Sequence, residues 1–148
     1  MRIRRRPFPS RVIRPALTEA QTHLGIDPRL CGTPVALAEG RADVVWRALP
    51  EMAADAQGLV HGGFVFGLAD YAGMLAVNHP NVVIGAAELR FLRPVVVGDE
   101  LVARARQTED RGKKKIVEVE VCRGEQAVLT GVLTCFVPDN HVLAQAAG

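Results

Sequence analysis

The stretch "LVHGGFVFGLADYAGMLAVN", Leu59 to Asn78, decides the fold of this chain. It is apolar on nearly every side, runs without proline, and is long enough for a helix from Gly62 to Asn78, about 25 Å at 1.5 Å per residue. A helix apolar all round cannot rest on a sheet with one side in water; it must be wrapped. Yet the stretch carries a carboxylate, Asp70. Burying an unpaired carboxylate costs several kcal/mol, so Asp70 must have either a partner or a task.

The segments on either side supply the wrapping. From Pro34 to Leu49, "PVALAEGRADVVWRAL" places a Glu39-Gly40 turn signal between two β-branched runs, which predicts a hairpin. Beyond Pro80 the chain is rich in valine and alternates with period two, as in Ile116 to Cys122, where Val117, Val119 and Val121 face away from Glu118 and Glu120. Turn signals at Val97 to Asp99, Asp110 to Lys113 and Arg123 to Glu125 divide this part into four antiparallel strands, expected in meander order. Before the hairpin, "PALTEAQTHLG" predicts a short helix opened by Pro15 and closed by Gly25, followed by "RLCGTP" as loop. The expected class is α+β: a curved antiparallel sheet of five or six strands around one long central helix.

Composition bounds the rest. A length of 148 residues, 49% hydrophobic and 23% charged, suits one globular domain. The net charge of +2 is uneven: the first fourteen residues hold six of the 18 basic groups and no acid, leaving 12 basic against 16 acidic residues beyond them. Residues 1–14 are therefore expected to form a basic, loosely ordered extension and residues 15–148 one domain. The extension has one aromatic, Phe8, and no recognition fold attached, which argues against nucleic-acid binding. No run is long and apolar enough for a membrane span, so a soluble, cytoplasmic protein is expected. Cys31, Cys122 and Cys135 are odd in number and unpaired in spacing, and His23, His61, His79 and His141 are scattered; neither disulfides nor a metal site is expected.

Two glycines inside the helix, Gly67 and Gly73, each cost about 1 kcal/mol relative to alanine. They mark either tight packing on the sheet or close approach of a second backbone, such as the same helix of another subunit. At the helix start, Gly62 and Gly63 carry N–H groups that the first turn leaves free, with the positive end of the dipole behind them; such donors polarise a carbonyl. Asp70 in an apolar setting is a general-base or nucleophile candidate. Eight residues put Gly62 and Asp70 about 12 Å apart along the axis, too far to serve one reacting group. An antiparallel helix pair across a dimer axis brings Gly62 of one chain beside Asp70 of the other. The alternative for Asp70 is a buried ion pair with an arginine such as Arg90 or a hydrogen bond from a hydroxyl such as that of Tyr71 in the partner subunit.

The string "GLVHGGFVFGLADYAGMLAVN", with "LRFLRPVVVGDEL" after it, resembles the hotdog-fold acyl-CoA thioesterases, in particular the phenylacetate-pathway (PaaI-like) branch, over Asp55 to about Val137. The resemblance implies a hotdog fold, a homodimer often paired into a tetramer, and hydrolysis of an acyl-CoA thioester, with no cofactor beyond the coenzyme A of the substrate. It implies Asp70 as general base or nucleophile, Gly62 as the N–H donor from the opposing subunit, and His61 as the residue shaping that turn. Asp55 stands where the family commonly has asparagine, and a second carboxylate pointing into the site would raise the pKa of Asp70. For the phosphates of coenzyme A, "RGKKK" (Arg111 to Lys115, with Lys113 and Lys114 at its centre) and Arg93 are candidates, the alternative being a solvated turn. Gly63 belongs to the same turn, and Glu88 either lines the acyl pocket or faces water.

Two rival readings remain. Hotdog domains also serve as acyl-CoA-binding halves of fatty-acid-synthesis repressors, and the late strands here are similar to one, but the segment before the sheet is too proline-broken for a helix-turn-helix. Hotdog hydratases arrange their Asp and His differently along the helix.

Overall fold

The computed structural model describes residues 18–145; the basic extension lies outside the described residues. The predicted hairpin is present as β1 (Thr33–Ala38) and β2 (Arg41–Arg47), joined at Glu39-Gly40. A short helix, α1 (Pro28–Cys31), precedes the hairpin; after the hairpin a 3-10 turn, Pro50–Met52, and a loop lead to the long central helix, α2 (Gly62–Val77). Four strands follow, β3 (Val83–Phe91), β4 (Glu100–Arg111), β5 (Lys114–Arg123) and β6 (Gln126–Phe136), and then a short α3 (Val142–Gln145).

All six strands form one antiparallel sheet in the order β1-β2-β4-β5-β6-β3. This corrects the expected meander: β4, β5 and β6 follow one another, but β3 pairs with β6 and leaves β4 to pair with β2. The link from Leu92 to Asp99 explains the crossing. It is too long for a tight hairpin, contains Pro94, and is held by Gly58–Val60: Val60 N–H donates to Val95 O (2.8 Å) and Val97 N–H to Gly58 O (2.9 Å). The strand order leaves β3 as an exposed edge nine residues long.

The core lies between sheet and helix. Ala42, Val44 and Trp46 of β2, Leu101, Ala103 and Ala105 of β4, and Val117, Val119 and Val121 of β5 are buried against Leu68, Met74 and Leu75 of α2, none of which is solvent-exposed. Each large side chain so buried contributes about 1.5–3 kcal/mol. Trp46 is core, and its Nε1 donates to Leu30 O (2.9 Å).

A second correction concerns the N-terminal segment. Residues 18–25 are not helical; helix falls instead on α1, within the run read as loop. Asp27 caps it, Pro28 sits at its first position, and Gly32 ends it at φ +94°, where a Cβ would meet Val45 O at 2.6 Å. Tertiary ties override the weak helical pattern upstream. Thr18 N–H and Oγ1 both donate to Leu37 O (3.1 and 3.0 Å), and Asn78, the left-handed C-cap of α2, accepts from Gln21 N–H (2.8 Å) and donates to Glu19 O (3.0 Å). The segment is thus a strap fastened to the last turn of α2.

Candidate active site

The first turn of α2 is built by His61. Its Nδ1 accepts the N–H of Gly63 (2.9 Å), which makes it the N-cap, and a Cβ at Gly63 would lie 2.8 Å from that nitrogen. Gly62 N–H has no acceptor among the described residues, and Gly62 opens into a 320 Å³ cavity walled by Leu59, Val65, Phe91 and Arg93. Dipole and free donor together favour a developing negative charge there.

Two turns along, Asp70 opens into a different cavity of 450 Å³, lined by Thr22 and His23 of the strap, Met74 of α2, Val82 to Ile84 at the start of β3, and His141. Asp70 Oδ1 is buried and has no hydrogen-bond partner. Burial pushes the Asp70 pKa up from 3.8 to about 6, so near neutral pH the carboxylate is ionised yet holds a proton readily. Arg90 does not reach it, lying with Glu88, Thr130 and Val132 along a separate groove. Tyr71 is buried, with its ring centroid 6.3 Å from that of His23.

The glycines of α2 divide between the two readings. A Cβ at Gly73 would overlap Leu133 Cδ1 of β6, which is tight packing on the sheet. At Gly67 the nearest atom would be Cys31 Sγ at 3.8 Å, ordinary contact, so nothing in this chain requires a glycine there. Gly63, Phe66, Gly67 and Asp70 follow one another at helical spacing, and all four retain solvent exposure. This stripe is the side of α2 that the sheet leaves uncovered.

Asp55 does not enter either cavity lining. Its Oδ1 accepts from Gln57 N–H (2.9 Å) and Leu59 N–H (3.2 Å), ordering the loop that delivers His61 to the helix start. Glu88 lines the groove with Arg90, away from both Gly62 and Asp70. Arg93 stands at the Gly62 cavity, with its guanidinium donating to Ala127 O. In the β4–β5 turn, Arg111 pairs with Glu109 (2.6 Å), Lys113 with Asp139 (2.9 Å) and Lys115 with Asp110 (2.6 Å), whereas Lys114 has no ion-pair partner among the described residues. Thr22 and His23 went unrecognised in the sequence, since nothing local marks residues that line the Asp70 cavity from 48 and 47 positions away.

Among the described residues no His, Cys, Asp and Glu side chains group so as to hold a metal ion, and no helix is long and apolar enough to cross a membrane.

Comparison with known proteins places these features in context. The sequence profile of the thioesterase superfamily matches residues 57–130. A protein of Aquifex aeolicus named methylthioribose-1-phosphate isomerase is 54% identical over 122 residues, 82% of this chain and 27% of that one. The transcription factor FapR of Caldanaerobacter subterraneus is 33% identical over 73 residues, 49% of this chain and 36% of that one. The chain thus spans about a quarter to two-fifths of these curated relatives. Among solved structures, the uncharacterized protein PH1136 from Pyrococcus horikoshii is 55% identical with TM-score 0.85, over 86% of this chain and 98% of that one. The PaaI protein of the E. coli phenylacetic acid degradation operon is 25% identical with TM-score 0.69, over 76% and 83%.

Proposed function

This chain belongs to the thioesterase superfamily and has its hotdog fold, and on that premise we propose that it hydrolyses acyl-CoA thioesters at two equivalent sites of a homodimer. The observation that carries the reading is the unpartnered, proton-ready carboxylate of Asp70 on the helix whose free Gly62 N–H opens into a second cavity. The two groups are about 12 Å apart along α2, so they meet only when two copies of the helix run antiparallel. Three features support that pairing: the uncovered stripe of α2, the spare room at Gly67, and the long open edge of β3, which offers unpaired backbone groups to a second strand.

Chemically, the carboxylate of Asp70 removes a proton from water, the resulting hydroxide adds to the thioester carbon, and the C=O π pair moves onto oxygen. Gly62 N–H of the opposing subunit stabilises that oxyanion. Collapse of the intermediate expels the coenzyme A thiolate, which takes the proton from Asp70, leaving the free acid. Attack by the carboxylate itself, through a mixed anhydride that water then opens, uses the same two groups. His61 fixes the turn, Gly63 closes its cap, and Arg93, beside the Gly62 cavity, is the cation best placed for the phosphates of coenzyme A. No cofactor beyond the substrate's own coenzyme A enters the scheme, and pairing of two dimers is compatible with it.

The test is free-thiol release from a panel of acyl-CoA esters by the native protein and by Asp70→Asn, beside calorimetric binding. Release that Asp70→Asn abolishes supports the enzyme. A second reading, a non-catalytic acyl-CoA sensor, is favoured by the likeness to FapR; tight binding without release from the native protein would establish it.

A further inference from the structure

The four histidines of this chain do not behave alike. His61, His79 and His141 each use Nδ1 to accept a backbone N–H two residues on, from Gly63, Asn81 and Leu143 at 2.9, 3.0 and 3.0 Å. Each therefore has a turn to hold. His23 makes no such bond. Its Nδ1 lies 2.8 Å from the hydroxyl of Thr22, a side chain of the strap that is only 5% exposed. Its backbone is left-handed, at φ +56°, one of two non-glycine residues so placed among the described residues. A left-handed position alone is served by Asn or Gly and does not call for an imidazole.

What the strap achieves by this turn is to set His23 in the wall of the cavity that holds Asp70. The strap is fastened just upstream of His23, to Leu37 of β1 and to Asn78 at the end of α2. A hydroxyl that donates to Nδ1 leaves the ring proton on Nε2. Burial lowers the His23 pKa below its ordinary 6.5, which keeps the ring neutral at neutral pH. Asp70, whose buried Oδ1 has no protein donor, lines the same cavity. A cavity with this lining is polar enough to order water between the two.

We propose that His23 is a positioning residue of the hydrolytic site: with Nδ1 accepting the Thr22 hydroxyl, its Nε2–H donates a hydrogen bond to the water whose proton Asp70 removes. The inference rests on the reading of Asp70 given above. His23 keeps its proton throughout. The water's second lone pair forms the new C–O bond and its proton goes to Asp70, so the imidazole orients the nucleophile without exchanging a proton with it. A residue of this kind acts on turnover rather than on affinity for the thioester.

The experiment compares His23→Asn, His23→Gln, Thr22→Val and Asp70→Asn in the full chain, with kcat, KM and Tm for each. Asn adopts the left-handed backbone and can keep the Thr22 contact but cannot reach the position of Nε2; Gln extends an amide N–H to about that point. The proposal expects His23→Asn to lower kcat about tenfold or more with KM within about twofold, His23→Gln to recover most of that loss, and Thr22→Val to lower kcat in the same sense. Unchanged kcat in His23→Asn overturns it. So does equal impairment of the Asn and Gln variants at native Tm, since that would mark a structural role. If Asp70→Asn is inactive while His23→Asn is unimpaired, the role of His23 falls and that of Asp70 stands; if Asp70→Asn turns over normally, both fall.

Discussion

Gly62 and Asp70 share one helix and open into separate cavities, the first walled by Phe91 and Arg93, the second by His23 and Met74. The spacing along α2 keeps these two groups of one chain from touching one substrate, so the proposed chemistry requires two copies of the helix.

Replacing the Gly62 N–H is possible without disturbing the helix. Proline is well tolerated at the first helical position, His61 already has the extended backbone (φ −61°, ψ 129°) that a following proline requires, and no protein acceptor is lost. Gly62→Pro should therefore retain native Tm and lower kcat about 10²–10³-fold, as loss of an oxyanion donor does. Steady-state thiol release checks this.

Activity should rise with pH through about 6 and then level, because Asp70 acts only when ionised. A pH–rate profile of kcat/KM for the free protein reports this limb. A flat profile between pH 5 and pH 8 would contradict an ionised Asp70 with a raised pKa.

The same carboxylate opposes folding. Its folded-state pKa lies above its ordinary 3.8, so the stability it withholds is fully felt above about pH 6 and disappears as the pH falls below 3.8, where folded and unfolded chains are both protonated. Asp70→Asn should stabilise the protein by about 1–3 kcal/mol at pH 8 and leave it unchanged at pH 3.5. Denaturant unfolding at the two pH values tests the sign.

The two helical glycines should respond oppositely. Gly73→Ala drives a methyl into Leu133 and should cost about 1–3 kcal/mol. Gly67→Ala meets only ordinary contact within the chain and removes the helix cost of glycine, so folding should not suffer, whereas a larger substitution such as Gly67→Leu should weaken dimerisation. Sedimentation and thermal melts separate the two effects.

Arg93→Ala should raise KM for acyl-CoA esters several-fold while leaving hydrolysis of a short thioester lacking the nucleotide unaffected. Lys113→Ala should do less, because Lys113 is already neutralised by Asp139.

What could be read from the sequence was what rests on local pattern. The wrapped helix, the Glu39-Gly40 hairpin and the valine alternation of β5 all follow from periodicity and turn chemistry within short windows, whereas the place of His61 at the helix turn came only through the family resemblance. The position of β3 did not, since strand order depends on what the Leu92 to Asp99 link meets in space, namely Gly58–Val60. The strap was misread for a like reason. Its helical spacing is outweighed by bonds to Leu37 and Asn78, residues that no local window contains. The site divides the same way: Gly62 and Asp70 stand out as glycine and acid in an apolar run, whereas His23 comes to the Asp70 cavity only through the fold.

The most direct test of the shared site mixes two inactive proteins. Gly62→Pro keeps Asp70, and Asp70→Asn keeps Gly62. After subunit exchange confirmed by native mass spectrometry, each heterodimer holds one site with both groups intact and one with neither. The account predicts that activity returns to about a quarter of the native value, half the dimers being mixed and each having one working site. A mixture that exchanges subunits yet stays as inactive as its parents would contradict it.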